Sequence, residues 1–293
     1  MDAARMTALD WMSIALPLGG TAIACLALLL PRRWRLVGGP MSVPLWESGH
    51  ASTLLLLFTG LVLASHQVDP IGEWASLRLG LDIGSTTGLL VLACLPALRT
   101  PERGWGRAGF GPLTAAAAPW LLLLVVSVAI FRIVLLSYVP CHCPGLNPAD
   151  LGWARVAASA AFAGLLAPLT EEVLYRGIAL PLIGARAGGK TGVVLVAVAW
   201  AMAHGERPLL PLVVLGIALG KLTLGTGSLW ASTGFHVAWN GTVVAYEIYS
   251  RVIGVDGKAL SGVVIFFAVV GLVLAWVRLL DAARAGCVWI TPI

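Results

Sequence analysis

The stretch APLTEEVLYRGIAL, residues 167–180, places two adjacent glutamates and an arginine inside a run that otherwise reads as the interior of a lipid bilayer. The rest of the chain has the same apolar character. Of its 293 residues, 59% are hydrophobic and 11% are charged, and the mean hydropathy is +0.91. An ordinary soluble domain carries about a quarter charged residues. The composition therefore indicates a membrane protein, in which three charges on one helix need an explanation.

Apolar runs recur along the whole chain. A run needs roughly 20 residues to cross a hydrocarbon core of about 30 Å. These runs are apolar on every face, whereas the strands of a lipid-facing barrel would alternate apolar and polar residues. The sequence therefore predicts an all-α fold, a polytopic transmembrane bundle of about eight to nine helices. We place the spans at Trp11–Leu30, Leu45–Ser65, Leu81–Leu98, Leu113–Val139, Trp153–Leu169 continuing toward Ile183, Thr191–His204, Pro208–Leu224, Leu229–Ser250 and Ser261–Leu280.

The first of these spans could instead be a signal peptide. Its leader, MDAARMTALD, holds one arginine against two aspartates, and no convincing small-residue cleavage site follows it. We therefore interpret the first span as a transmembrane helix.

Basic residues follow every second span of the predicted bundle. The intervening loops are poorer in cations: VDPIGEW is acidic, and CHCPGLNPADLG holds no lysine or arginine. Basic loops stay cytoplasmic, so the pattern predicts an outside N-terminus and a cytoplasmic C-terminus in a plasma membrane or cell inner membrane. Topology also accounts for the net charge of +5 without a nucleic-acid partner. The basic residues are Arg32, Arg33, Arg35, Arg99, Arg103, Arg107, Arg186, Lys190, Lys221, Arg278 and Arg284, with Arg251 and Lys258 as exceptions.

A soft divide near Pro140–Gly152 separates two regions of the chain. Residues 1–150 hold about four helices and no polar residue suited to chemistry. Residues 151–293 hold nearly all of the polar residues that lie within apolar runs. We interpret the first region as an accessory or substrate-docking unit.

Five cysteines are scattered along the chain. We interpret Cys25, Cys94 and Cys287 as small apolar packing residues. The predicted outside loop CHCPG holds Cys141 and Cys143, where a metal site would need a further ligand and a disulfide would close a strained short ring. The sequence leaves the role of this pair open.

The three charges of the opening stretch differ in position on their helix. Residues four apart share a helix face, so Glu172 and Arg176 can pair, while Glu171 points roughly 100° away. An unpaired carboxylate near hydrocarbon costs roughly 2.5 kcal/mol or more and needs hydration, a proton or a partner from another helix. A purely structural clamp between helices is one explanation of the three charges. Intramembrane ionisable residues more often mark a functional site.

Histidines in two later spans are possible partners for Glu171. His204 ends the run AWAMAHGE, and His236 precedes Asn240 by four residues and shares its helix face. His50, His66 and His142 lie at the ends of the second span or in a loop. A carboxylate and an imidazole can orient and deprotonate water, and a histidine with an amide can hold an oxyanion. These groups together suffice for hydrolysis.

The three motifs E-E-x-x-x-R, aromatic-x-x-x-H and H-x-x-x-N, in this order on separate membrane helices, resemble the CPBP family of intramembrane proteases. That family includes the endoprotease that trims prenylated CAAX proteins and many bacterial relatives. EEVLYRG and HVAWN fit the first and third motifs, while WAMAH has Trp200 where phenylalanine is usual. The resemblance covers about Trp153 to Tyr249 and implies that residues 151–293 form a catalytic transmembrane core.

The resemblance also implies a role for each motif residue. Glu171 and His204 would activate the water, and His236 and Asn240 would form the oxyanion hole. Glu172 and Arg176 would brace the helix. The expected activity is a glutamic-type, CAAX prenyl protease-like cleavage of a peptide bond, without a cofactor.

Two alternatives remain open at the sequence level. Glu171, His204 and His236 could hold a zinc ion with one open position, although the chain lacks an H-E-x-x-H pair on one helix. We favour a metal-free mechanism. A transporter or a non-enzymatic membrane scaffold, for example in bacteriocin immunity, could also use buried Glu, His and Arg, but no matched interrupted helices indicate a transporter.

The substrate cannot be read from the sequence beyond its class. An active site within the bilayer suits a membrane-anchored protein or peptide. The abundance of alanine, glycine and arginine indicates a bacterial protein, for which a C-terminal tail or a leader peptide is a better substrate than a prenylated CAAX protein.

One expectation conflicts with this mechanism. Counted from Trp153, Glu171 falls near the cytoplasmic side, whereas His204, counted from Thr191, falls near the outer side. Tilt, a break at Pro168 or Pro181, or different span limits would be needed to bring the two residues together.

Overall fold

Helices form nearly all of the structure, a computed structural model that describes residues 8–37, 46–66, 75–99, 109–113, 115–138, 152–205, 209–253, 262–283 and 289–292. Within these ranges one helix corresponds to each predicted span, so the predicted all-α bundle is confirmed. The elements are α1 (Ala8–Leu29), β1 (Trp34–Val37), α2 (Ser48–His66), α3 (Ala75–Arg99), α4 (Ala118–Tyr138), α5 (Trp153–Ala187), α6 (Gly189–Met202), α7 (Leu209–Thr226), α8 (Leu229–Ile253), α9 (Gly262–Ala282) and β2 (Trp289–Pro292).

Several of these helices are long and apolar enough to cross a membrane. By length and composition, four of the described helices qualify, with spans at Ser48–Ser65, Leu77–Ala97, Trp153–Ala187 and Leu209–Thr226. Three shorter apolar stretches, Ile14–Leu29, Ala118–Ile133 and Gly189–Met202, accompany them. The chain is therefore a multi-pass membrane protein.

Helix α5 is the longest element, with 35 residues from Trp153 to Ala187. Its hydrogen-bonding pattern changes along its length, because the π-helical segments Phe162–Leu166 and Glu172–Ala179 alternate with α-helical turns. π-Helical turns widen a helix locally and occur often at functional sites. The second π-helical segment begins at Glu172, so the change of pitch falls between the two glutamates.

The length of α5 removes the conflict in depth between Glu171 and His204. Helices α5 and α6 form an antiparallel hairpin around Gly188, whose φ of +84° is a conformation that residues with a Cβ rarely adopt. Glu171 lies 17 residues before Gly188, and His204 lies 16 residues after it. Glu171 and His204 therefore lie at nearly the same height. The expectation of different depths was wrong because it counted Glu171 from Trp153, the far end of a 35-residue helix, and not from the hairpin at Gly188.

Helix α6 is too short to cross a bilayer. Its 14 residues rise about 21 Å at 1.5 Å per residue, less than the hydrocarbon thickness of about 30 Å. The helix ends at Met202, so His204 follows directly after its last turn. The half-buried His204 thus lies at membrane depth without interrupting a longer helix.

A two-stranded antiparallel sheet joins distant parts of the chain. Strand β1 pairs with β2 in the register Trp34 to Pro292 and Val37 to Trp289. The pairing brings the segment after α1 and the segment after α9 to the same end of the bundle. The sequence analysis did not predict these strands. The predicted orientation of the termini relative to the cytoplasm stays a prediction.

Residues from both predicted regions pack into one apolar core. Buried side chains from α1, α2, α3 and α4 belong to the same cluster as those from α5, α6, α7, α8 and α9. At the β1 end, the Arg33 backbone N–H donates to the Ala185 carbonyl oxygen at 3.0 Å. The Arg186 guanidinium also donates to the Ser48 hydroxyl oxygen. Helices α1, α2 and α3 thus pack against α5 or α6, whereas α4 packs against α8 and α9.

The predicted roles of the cysteines are tested in part. Cys94 is buried in the apolar core, and Cys25 is half-buried, and both thiols are free. Cys141, Cys143 and Cys287 lie outside the described residues, as does most of the Pro140–Gly152 divide.

Candidate active site

A closed ionic network surrounds Glu172 on α5. One carboxylate oxygen, Oε1, accepts hydrogen bonds from Arg176 Nη1 at 3.0 Å and from His236 Nδ1 of α8 at 3.0 Å. The side chains of Glu172 and Arg176 have no exposed surface, and that of His236 is 1% exposed. The predicted Glu172–Arg176 pair is therefore present, and Glu172 also binds a histidine that the spacing analysis had placed in a separate cluster.

Arg176 extends this network to two further helices. Its Nη2 donates to the Gly216 carbonyl oxygen of α7 at 3.4 Å. Its guanidinium carbon lies 4.7 Å from the ring centroid of Trp200 on α6, a cation–π contact. One arginine thereby contacts α7 and α6 as well as its own helix. Its removal would leave the Glu172 carboxylate buried with fewer donors.

Glu171 lies in a more open environment than Glu172. Its Oε2 accepts a hydrogen bond from the indole Nε1 of Trp200 at 2.6 Å. The same oxygen lies 3.8 Å from His204 Nε2 and 3.9 Å from His236 Nε2. The Glu171 side chain is 13% exposed and that of His204 is 15% exposed. These two side chains are therefore the more accessible members of the cluster.

The hydrogen bonds of the two histidines fix which ring nitrogen faces Glu171. His204 Nδ1 lies 2.9 Å from the Trp200 carbonyl oxygen, which can only accept, so Nδ1 carries the proton. His236 Nδ1 likewise faces the Glu172 carboxylate. In both rings Nε2 is directed toward Glu171 Oε2. The two Nε2 atoms and this oxygen therefore form one polar group in the centre of the bundle.

The end of α6 gives His204 its position. The helix stops at Met202, and the His204 backbone N–H donates to the Ala201 carbonyl oxygen at 3.1 Å in a tight last turn. The Trp200 carbonyl is then available to the His204 side chain. The Trp200 and His204 rings meet edge to face, with centroids 4.6 Å apart. The spacing of four residues between them therefore produces direct contact.

Asn240 lies one turn after His236 on α8. Its side-chain amide nitrogen donates to the Ala163 carbonyl oxygen of α5 at 3.3 Å. Ala163 belongs to the first π-helical segment of α5. An asparagine amide has two N–H donors, and this contact uses one of them. Asn240 therefore ties α8 to α5 on the same side of the helix as His236.

The structure thus brings together most of the residues predicted from the sequence. Glu171, His204 and His236 meet around one carboxylate oxygen, and Glu172 and Arg176 lie directly behind them. The hydrogen bond of Asn240 goes to the α5 backbone.

Two residues near the site were not singled out by the sequence analysis. Trp200 was treated only as a variant aromatic residue, yet its N–H contacts Glu171. Arg132 lies within α4, in the region described as lacking polar residues suited to chemistry, and its guanidinium carbon is 4.5 Å from the Trp239 ring centroid. The sequence does not predict the contact between Arg132 and Trp239, because α4 and α8 are far apart in the chain.

The spacing of ligand-type side chains bears on the zinc alternative. Among the described residues, no group of three His, Cys, Asp or Glu side chains is arranged to hold a metal ion. Glu171, His204 and His236 carry atom types that can bind zinc. In the structure, the two imidazole Nε2 atoms face one Glu171 carboxylate oxygen, and this oxygen also accepts the Trp200 N–H.

Comparison with known proteins supports a protease. Residues 152–242 match the family model described as Type II CAAX prenyl endopeptidase Rce1-like. The match supports a resemblance of this segment to the CAAX protease family. It covers about a third of the chain, from the start of α5 into α8, and it contains Glu171, Glu172, Arg176, His204, His236 and Asn240. No curated protein and no solved structure matches the chain. The resemblance predicted from the three motifs is therefore confirmed by the CAAX protease family match.

Proposed function

We propose that the protein is an intramembrane endopeptidase in which Glu171 and His204 activate a water molecule. His236 and Asn240 form the oxyanion hole in this proposal, and no metal takes part. The observation that carries the proposal is the convergence of two imidazole Nε2 atoms on Glu171 Oε2, at 3.8 and 3.9 Å. The CAAX protease family match supports the reaction class.

The distance between Glu171 and His204 suits an activated water. A separation of 3.8 Å is too long for a direct hydrogen bond, but one water molecule can hydrogen-bond to both atoms at ordinary lengths of about 2.8 Å. The carboxylate would then take a proton from the water while the neutral Nε2 of His204 orients it. Hydroxide attack on a peptide carbonyl follows, and the carboxylic acid returns the proton to the leaving amine.

Charge balance supports different roles for the two histidines. The cluster holds two carboxylates and one guanidinium, so one protonated imidazole makes it neutral. His236 is better placed for that charge, because its Nδ1 faces the Glu172 carboxylate while His204 Nδ1 faces a neutral carbonyl. A protonated His236 carries a proton on Nε2 as well and can donate it to an oxyanion.

Asn240 would supply the second donor of the oxyanion hole. One of its two amide protons goes to the Ala163 carbonyl, which fixes the plane of the amide. The remaining proton is available to the developing oxyanion. Donors held in advance by other contacts are effective because they need no reorganisation during the reaction.

The membrane setting limits the substrate to proteins with a membrane anchor. We propose a peptide bond close to a C-terminal tail or a leader, presented from within the bilayer. We also propose the orientation that the basic loops predict, with the N-terminus outside and the C-terminus in the cytoplasm. In that orientation the β1–β2 end of the bundle faces the cytoplasm.

Cleavage of defined peptides by purified protein tests this function. The protein would be reconstituted in vesicles with lipid-anchored peptides and with transmembrane-tail peptides, and new termini would be identified by mass spectrometry. We expect cleavage by the unaltered chain and at least a 10²-fold lower rate for Glu171→Gln. Glu47→Gln, at an exposed glutamate before α2, is the matched control and should retain full activity. Full activity of Glu171→Gln, or no cleavage of any peptide by folded protein, would contradict the proposal.

A further inference from the structure

Trp200 makes a polar contact that the proposed mechanism does not yet use. We infer that Trp200 is a positioning residue, whose indole N–H holds the Glu171 carboxylate in the orientation needed to activate water. The inference rests on the proposed function, because it concerns the base of that reaction. It assigns to the tryptophan a role that its aromatic ring alone does not provide.

The hydrogen bond between Trp200 and Glu171 is short, as a positioning role requires. Nε1 lies 2.6 Å from Oε2, the same oxygen that faces both imidazole Nε2 atoms. An indole has one N–H and no acceptor, so Trp200 can only donate. A hydrogen bond to an ionised carboxylate is roughly twice as strong as one between neutral groups. Rotation of the Glu171 carboxylate would break this bond.

Contacts on every side hold the indole itself in place. Trp200 is 1% exposed, and its ring faces the Arg176 guanidinium and meets the His204 and His236 rings edge to face. On α7, a Cβ added to Gly216 would lie 3.1 Å from Trp200 Cε3, so a larger residue there would press on the ring. The donor therefore has a fixed direction. A fixed donor that bonds one carboxylate oxygen limits the orientations that the carboxylate can adopt.

The indole N–H gives this chain a contact that the usual phenylalanine at this position could not make. Glu171 accepts the Trp200 N–H, in contrast to Glu172, which binds Arg176. The Trp200 N–H is thus the hydrogen bond that orients Glu171 in the described structure. A phenylalanine at position 200 would keep a ring against Arg176 and the histidines but would lose the donor. This difference allows the packing and positioning roles to be separated.

A double-mutant cycle separates the two roles. Trp200→Phe should lower kcat about 10-fold or more with little change in KM, because the lost contact acts on the chemical step. In a Glu171→Gln background, where the base is absent, Trp200→Phe should lower the residual rate by less than about 2-fold. Trp276→Phe is the matched control, since it removes the indole N–H of a half-buried tryptophan whose ring packs against Phe235 on α8, and it should change neither rate.

Loss of packing volume is controlled by a second variant. Benzothienylalanine at position 200 keeps the bicyclic ring and replaces only the N–H by sulfur, so its melting temperature in detergent should match that of the unaltered chain. We expect the same fall in kcat as for Trp200→Phe. An unchanged kcat with benzothienylalanine, or an equal fall for Trp200→Phe with and without Glu171, would overturn the positioning role and leave the proposed function intact. Full activity of Glu171→Gln alone would instead overturn the proposed function.

Discussion

Glu171 and Glu172 are neighbours in the chain, but their carboxylates lie in different environments. Glu172 is fully enclosed and binds Arg176 and His236 at 3.0 Å each. Glu171 is partly exposed, accepts one indole N–H and faces two Nε2 atoms at distances too long for direct hydrogen bonds. We name these the closed side, Glu172 with Arg176, and the open side, Glu171 with His204.

The difference shows how one helix can carry two glutamates within a membrane. The closed side is neutralised internally, so its charge contributes to the fold. The open side keeps a partly exposed carboxylate oxygen near two imidazole nitrogens. Adjacent residues on a helix point roughly 100° apart, which separates the directions of the two side chains. The comparison therefore predicts that mutations on the closed side reduce stability and mutations on the open side reduce turnover.

The largest expected effect is on the closed side. Arg176→Gln leaves the Glu172 carboxylate buried without its guanidinium partner, and breaking a buried pair costs about 3 to 5 kcal/mol of unfolding free energy. Thermal unfolding in detergent and folded yield measure this loss. Arg78→Gln is the matched control, because Arg78 and Asp82 form another pair four residues apart, at 3.9 Å, that is partly exposed. A stable but inactive Arg176→Gln would show that the closed side takes part in catalysis.

The second effect concerns the oxyanion hole. Asn240→Ala should lower kcat about 10² to 10³-fold, as expected for the loss of one oxyanion donor. Thr242→Ala, two residues further along α8, removes a hydroxyl that bonds within its own helix and serves as the control. Single-turnover kinetics measure the chemical step in both variants. A change in melting temperature without a change in kcat would show that Asn240 only ties α8 to α5.

The third effect concerns Gly216 on α7, which packs against Trp200 between the two sides. In Gly216→Ala the new Cβ would lie 2.9 Å from Ala197 Cβ and 3.1 Å from Trp200 Cε3. Overpacking of this kind costs about 1 to 3 kcal/mol and should displace the ring that holds Glu171, so both melting temperature and kcat should fall. Gly60→Ala in α2 is the control, since its new Cβ would meet nothing within 4 Å. Unchanged activity in Gly216→Ala would show that Trp200 tolerates displacement.

The smallest expected effect is that of metal removal. If Glu171 acts without a metal, treatment with a strong chelator should leave kcat unchanged, and elemental analysis of active protein should find no stoichiometric zinc. A zinc site built from Glu171, His204 and His236 predicts the opposite: about one zinc per chain, lost together with activity in His236→Ala. That result would replace the mechanism on the open side and leave the protease assignment in place.

The sequence predicted the helices well because membrane spans are determined by composition alone. Each predicted span corresponds to a helix whose limits differ by a few residues, as for Ser261–Leu280 and the observed Gly262–Ala282. The pairing of Glu172 with Arg176 also followed from local geometry, because residues four apart on a helix are neighbours. These features depend only on contacts that are local in the chain.

Contacts between helices could not be predicted in the same way. The bond between His236 and Glu172 spans 64 residues, and that between Trp200 and Glu171 spans 29 residues. Neither leaves a periodic signal. The depth of Glu171 was misjudged because α5 continues through two π-helical segments to Ala187, and apolar composition does not reveal where a long helix ends.

A direct comparison of Glu171→Gln with Glu172→Gln tests the central claim most sharply. Both variants replace a carboxylate by a carboxamide at adjacent positions, so differences in their stability and turnover arise from the environments of the two side chains. Melting temperature in detergent and single-turnover cleavage of the same anchored peptide would be measured for each. We predict that Glu171→Gln keeps its melting temperature within a few degrees and loses at least 10²-fold in turnover, whereas Glu172→Gln unfolds at markedly lower temperature. A stable, active Glu171→Gln beside a stable, inactive Glu172→Gln would contradict the account.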